Sequence, residues 1–189
     1  MKYVFATQRE LCAQGRKAFF KYRHKVFINH LGWDLDLTQH CIDQELEIDQ
    51  FDGDDTLYVI SKNTHDEIVG CARLLPTTQP YLLEEVFPEL LGSGTAPKAN
   101  DVWELSRFAC IDFNQPVSNG KALNQTQRAI TLFLLTVEAA KQHGAKHFVT
   151  VSPLGIEKML KREGFSVSRF APPKLVSGYA LVGCWINLS

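Results

Sequence analysis

Small and apolar residues recur at Leu11, Gly15, Ala18, Phe19, Tyr22 and Val26, the three- and four-residue steps that line one face of an amphipathic helix. The other side carries Arg9, Arg16, Lys17, Lys21, Arg23 and Lys25 and reads as a solvated surface. A short strand over residues 3–6 precedes this helix, which ends before Leu31-Gly32-Trp33. Phe27 and Trp33 then fall in a connecting segment, where large aromatics are expected to cover something. The β-rich runs Thr56 to Ser61 and Ile68 to Leu75, split by Asn63-Thr64-His65-Asp66, predict a hairpin. Prolines and glycines from Pro76 to Pro97 mark a surface excursion with a short helix near Leu82 to Val86. Strand character returns at Val102 to Ala109. Leu123, Ala129, Ile130, Phe133, Leu134, Val137 and Ala140 predict a helix ending at Gly144. Phe148 to Val151 is a strand, Leu154 to Arg162 a helix stopped by Gly164, and Tyr179 to Leu188 a closing strand.

This order predicts a single α/β domain over residues 1–189, an α-β-α sandwich with a mixed, twisted sheet whose layout resembles N-acyltransferase (GNAT-like) folds. With 189 residues, 45% of them hydrophobic, the chain has enough apolar surface for a core of its own. A net charge of -1 and the lack of a basic stripe interleaved with aromatics argue against nucleic acid as partner. The start turns polar within a few residues and no apolar run approaches membrane-helix length, so the expectation is a cytoplasmic protein without membrane insertion. Five scattered cysteines form no C-x-x-C pair and no histidines stand at zinc spacing, which predicts reduced thiols and no metal site.

Chemistry concentrates in Val102-Trp103-Glu104-Leu105-Ser106-Arg107-Phe108-Ala109. A carboxylate among strand residues suited to burial is costly unless charge or hydrogen bonds compensate it. Two-residue alternation sends Glu104 and Arg107 to opposite faces, so a β-bulge between them is expected to turn both toward one cleft. Residues 43–55 hold seven acids and no base, and must be balanced by a cation or a basic cleft. Calcium fails on spacing, because aligning Gly53 with an EF-hand glycine leaves Ile48 and Gln50 at ligand positions. Nucleophile-elbow, P-loop, dinucleotide and zincin motifs are absent. The loop Gln115 to Lys121 has a single glycine, a poor pyrophosphate cradle, which argues against free acyl-CoA.

Four blocks remain: R-x-x-x-F-x-x-x-L-G-W from Arg23, E-x-D-x-F-D from Glu47, G-C-A-R-L-L-P-T-T around Arg73 and W-E-L-S-R-F from Trp103. In this order and spacing they resemble the acyl-homoserine-lactone synthases, the autoinducer synthases of bacterial quorum sensing. The resemblance implies transfer of a fatty acyl chain from acyl carrier protein to the amine of S-adenosylmethionine, then lactone closure with release of methylthioadenosine. S-adenosylmethionine is then a substrate and no cofactor is required. The family's charged positions match Arg23, Asp49, Asp52, Arg73, Glu104 and Arg107, with Phe27 and Trp33 as its aromatic pair; these residues other than Glu104, together with Phe108, are expected to form the S-adenosylmethionine site and its charged cluster. Acylation needs a neutral amine nucleophile, so Glu104 is expected to be the general base. Asp49 and Asp52 are expected to pair with Arg23 and Arg73. Ser106, Phe148, Thr150, Ser152 and Leu154 are expected to line the acyl pocket, and Lys158, Lys161 and Arg162 to receive the acidic carrier. The alternative is a generic GNAT-like N-acyltransferase acting on another amine.

Overall fold

The computed structural model describes residues 1–114, 122–176 and 178–188. The chain divides into two compact units, Met1–Arg73 with Arg107–Thr136, and Leu74–Ser106 with Val137–Ser189. In the first unit, β1 (Lys2–Thr7) runs antiparallel to β2 (Leu57–Lys62), from Lys2 opposite Lys62 to Thr7 opposite Leu57. β3 (Ile68–Pro76) and β4 (Val102–Ala109) begin or end here and continue into the second unit. Helix α1 (Ala13–His24) opens at Cys12, whose thiol accepts from the Gly15 amide, and runs into a π-helix at Lys25–His30. The wide turn carries the bond from the Leu31 amide to the Val26 carbonyl, and both Val26 and Phe27 are buried. Phe19, Phe20, Tyr22, Tyr58, Ile60 and Cys71 complete this core, with the Phe19 and Tyr58 rings 4.8 Å apart.

In the second unit β5 (His147–Pro153) lies parallel to β4, with Val102 opposite His147 and Glu104 opposite Val149. β8 (Tyr179–Asn187) pairs antiparallel with β5 and carries β6 (Val167–Arg169) and β7 (Lys174–Val176) on its other side. Helices α3 (Leu82–Glu85) and α5 (Leu154–Arg162) belong to this unit, and α4 (Ala122–Gln142) joins β4 to β5 in the chain. The glycines expected to end α4 and α5 do so in left-handed geometry, Gly144 at φ 87° and Gly164 at φ 88°.

Parallel and antiparallel pairs together make the mixed α/β sheet that the element order predicts. Several short pieces were not foreseen, among them the 3-10 turns at Gln8–Glu10 and Pro88–Leu91. α2 (Gln39–Gln44) buries only Cys41, and β6 and β7 have three residues each, too few to display alternation. The basic side of α1 also needs correction at one position, because Arg23 is fully buried. Among the described residues no helix is long and apolar enough to cross a membrane.

Close packing in the first unit leaves no room beside Gly70 in β3. A Cβ there would stand 3.1 Å from the Leu132 Cδ2 and Ser61 Oγ atoms and 3.3 Å from the Ala109 carbonyl oxygen. Gly70→Ala is therefore expected to lower unfolding free energy by about 1–3 kcal/mol, the usual scale of overpacking, in a urea titration. Wild-type stability would show that these neighbours yield freely.

A ring of buried charges and the carboxylate of Glu104

Arg23 sits one residue before the end of α1 and reaches two acids of the segment that follows α2. Its Nε donates to Glu47 at 2.6 Å, and Nη1 and Nη2 donate to Asp52 at 2.7 and 2.9 Å. Glu47 also accepts from Arg107 Nε of β4 at 3.0 Å, and Arg107 Nη2 donates to Asp49 at 2.7 Å. Asp49 accepts from Arg73 Nη1 of β3 at 2.5 Å, and that same nitrogen stands 3.3 Å from Asp52. The six side chains thus close a ring in which three arginines alternate with three carboxylates. Backbone donors also hold the acids: the Phe51 amide donates to Asp49 and the Asp49 amide to Asp52, so both carboxylates are oriented by the main chain as well as by the arginines.

Arg23, Glu47 and Arg73 are fully buried. Burial opposes the charge on Glu47, but Arg23 and Arg107 hold its carboxyl down at about 2, against an ordinary 4.5. Asp52 is likewise held well below the carboxylate range, burial being outweighed by Arg23 and Arg73. Tyr58 donates to Asp52 at 2.9 Å, and burial together with that carboxylate pushes its phenol up. Phe27 and Trp33 lie with ring centroids 4.7 Å apart, and the Arg107 guanidinium carbon stands 5.6 Å from each. Phe51 lies under Arg73 in the same way, at 5.7 Å. Arg107 itself has φ 51°, so β4 leaves extended geometry at this residue. Phe108, next in the strand, meets Phe133 edge-on at 6.1 Å. A hollow of about 840 Å³ in this unit, lined by Val4, Leu11, Tyr22, Ile60 and Phe113, includes none of the ring residues.

In the second unit Glu104 is fully buried and directs its carboxylate at the start of α3: Oε2 accepts from the Leu82 amide at 3.0 Å and Oε1 from the Leu83 amide at 2.7 Å. Phe148, Thr150 and Ser152 alternate along β5 and so share one face, all buried. The Ser152 hydroxyl oxygen is buried and has no hydrogen-bond partner among the described residues. Ser106 is buried on β4, and Leu154 is the first residue of α5, half-buried. Lys158, Lys161 and Arg162 are exposed, but Lys161 is drawn to Glu157 at 2.7 Å and Arg162 lies 3.4 Å from Glu163. Reading the sequence missed Glu157, and left Glu47 short of the role it has as the acid between Arg23 and Arg107. For Glu47 the signal was present in the apolar Ile48 and Phe51 beside it. The glycine-poor loop at 115–121 lies outside the described residues.

A family model for autoinducer synthases matches residues 7–182. The acyl-homoserine-lactone synthase of Acinetobacter nosocomialis is 43% identical over 170 residues, covering 90% of each chain. Among solved structures, TofI in a ternary complex with an inhibitor and MTA superposes with TM-score 0.84 at 36% identity, over 100% of this chain and 92% of that one. Two likenesses below a quarter identity concern the fold alone: the CoA-dependent synthase BjaI (TM-score 0.79, 23% identity, 98% and 82% of the chains) and a putative N-acetyltransferase from Lactobacillus plantarum (0.64, 19%, 100% and 98%).

Removing one ring member leaves its partners charged and buried. Arg73→Met is expected to cost about 3–5 kcal/mol of unfolding free energy. Glu47 adds a pH signature. Its folded value near 2 lies below the ordinary 4.5, so its contribution is fully present above about pH 5 and lost as pH falls toward 2. Denaturant titrations at pH 7, 4 and 3 should show that decline, and a flat profile would contradict the ring's ionisation.

Proposed function

Because the chain belongs to the autoinducer synthase family, the acyltransferases that make acyl-homoserine lactones, we propose that it acylates the amine of S-adenosylmethionine from acyl carrier protein in the cytoplasm and closes the homoserine lactone. The observation that carries this reading is the match over residues 7–182, which includes every residue of the charge ring. MTA, bound by TofI, corresponds to the methylthioadenosine that such a reaction expels.

Acylation needs a neutral amine. Glu104 is the general base, taking a proton from the substrate ammonium directly or through one water. Its two backbone donors keep the carboxylate in one orientation. The amine then attacks the thioester carbonyl, and the tetrahedral intermediate collapses to the amide as the carrier thiolate leaves and takes up the second proton, released from the attacking nitrogen; Glu104 gives the first proton to water. Backbone amides where β4 leaves extended geometry are the candidate oxyanion donors. Phe27 and Trp33 offer π-faces to the adenosyl and sulfonium group, as they already do to the Arg107 guanidinium. In the second step the substrate carboxylate attacks the carbon bearing the sulfonium, and methylthioadenosine leaves. Nucleophile and leaving group belong to one molecule, so proximity supplies most of what this step needs. Phe148, Thr150, Ser152, Ser106 and Leu154 form the acyl wall, and the unpartnered Ser152 hydroxyl is a donor for a polar group near the third acyl carbon.

Glu104→Gln should lower acylation by roughly 10²-fold or more in a mass-spectrometric assay of acyl-homoserine lactone. The amide NH₂ of Gln also faces one of the two backbone donors, so a stability loss of about 1–3 kcal/mol is expected alongside. Near wild-type turnover would remove Glu104 as base.

Lys158 is the exposed docking cation to reverse, since Lys161 is tied to Glu157. Lys158→Glu should raise the KM for acyl carrier protein about fivefold at low salt, the scale of ~1 kcal/mol, and less at high salt, with the KM for S-adenosylmethionine unchanged. Equal or better turnover of acyl-CoA by the wild type would overturn the choice of donor, and an acylated product without a lactone would favour a generic N-acyltransferase.

A further inference from the structure

Helix α5 has only nine residues, Leu154–Arg162, and Pro153 at its start supplies no side-chain cap. A helix this short does not persist in water without tertiary contacts. Glu157, in its first turn, is 2% exposed and turns inward. Its oxygens accept from Arg169 Nε at 2.9 and 3.0 Å and from Arg169 Nη2 at 2.6 Å, while Lys161 Nζ adds a bond of 2.7 Å. These bonds, Arg169 foremost, hold the Glu157 carboxyl at about 2 against the smaller opposing effect of burial. Arg169 ends β6, where its register opposite Cys184 of β8 fixes it in the sheet.

A planar guanidinium fork on a carboxylate is directional, so it sets the rotation of α5 about its axis as well as its distance from β6. Glu157 and Leu160 are buried, and the helical repeat then turns Lys158 and Arg162, four residues apart, outward on one stripe. We infer that the Glu157–Arg169 pair is a positioning device for the acyl donor, locking the rotation of α5 so that Lys158 and Arg162 meet an acidic carrier together. This rests on the acyl carrier reading above. Neither residue touches the reacting atoms; both act through the outer stripe.

Steady-state kinetics of purified Glu157→Gln and Arg169→Gln, with each substrate titrated while the other is saturating, separate the possibilities. Positioning predicts a rise of about fivefold or more in the KM for acyl carrier protein in both variants, with kcat and the KM for S-adenosylmethionine within about twofold of wild type. Adding Lys158→Glu to Arg169→Gln should then raise that KM by much less than the product of the single effects, because both act through one surface. A purely structural pair would instead lower the melting temperature and kcat while leaving both KM values unchanged, and that result overturns the inference. Should neither glutamine variant fold, Arg169→Lys, which keeps the charge without the fork, decides by the same KM criterion. A wild-type enzyme inactive with acyl carrier protein and S-adenosylmethionine would instead defeat the functional reading on which the inference rests.

Discussion

Burying Arg23 is the constraint from which the first unit follows. A guanidinium removed from water needs carboxylates that are themselves held in place, and Glu47 and Asp52 supply them. Those two acids are oversupplied with charge unless Arg73 and Arg107 join, and Asp49 is required to link these last two. The result is electroneutral, which lets α1, the acidic segment, β3 and β4 converge without a net buried charge. Phe19 and Phe20 border the Arg23 guanidinium carbon at 5.8 and 5.2 Å, so the same ring that satisfies the ions also meets the apolar core.

Much of this was legible in the sequence, and what was not has identifiable causes. Seven acids without a base between residues 43 and 55 demanded a basic counterpart, and the arginines provide it. Helical periodicity alone puts Arg23 on a solvated face, because it says nothing of a carboxylate arriving from a segment more than twenty positions away; the pairing of Asp49 and Asp52 with Arg23 and Arg73 is read instead from the matching blocks, and the structure has it, Asp52 on Arg23 and Asp49 on Arg73. A departure from regular strand geometry was expected between Glu104 and Arg107, and the left-handed φ falls at Arg107 itself. Glu104's partners were invisible for a different reason: the donors are main-chain amides of Leu82 and Leu83, and a backbone N–H leaves no trace in residue identity. Glu157 looked like an ordinary charge on an amphipathic helix because Arg169, its partner, lies on a strand too short to recognise.

Arg107 joins two kinds of interaction that are usually separate. Its guanidinium completes the ion ring through Glu47 and Asp49 while standing over Phe27 and Trp33, so the aromatic pair faces a cation supplied by the chain itself. The Cys71 thiol donates to the Arg107 carbonyl at 3.1 Å, and burial pushes that thiol up to about 12, so it remains a neutral donor. A residue held at side chain, carbonyl and left-handed backbone at once has little freedom to relax.

The π-helix at Lys25–His30 carries a consequence for how the gene can vary. A π turn accommodates one more residue than an α turn, and here the Leu31 amide reaches back five residues to Val26 and the Trp33 amide six to Phe27. Losing one codon from this stretch would restore an α turn and swing Phe27 by roughly a quarter of a revolution, away from Trp33 and Arg107. Side chains between Arg23 and Trp33 can drift, but the number of residues cannot, so this interval should keep one length through insertions and deletions that the exposed loops absorb.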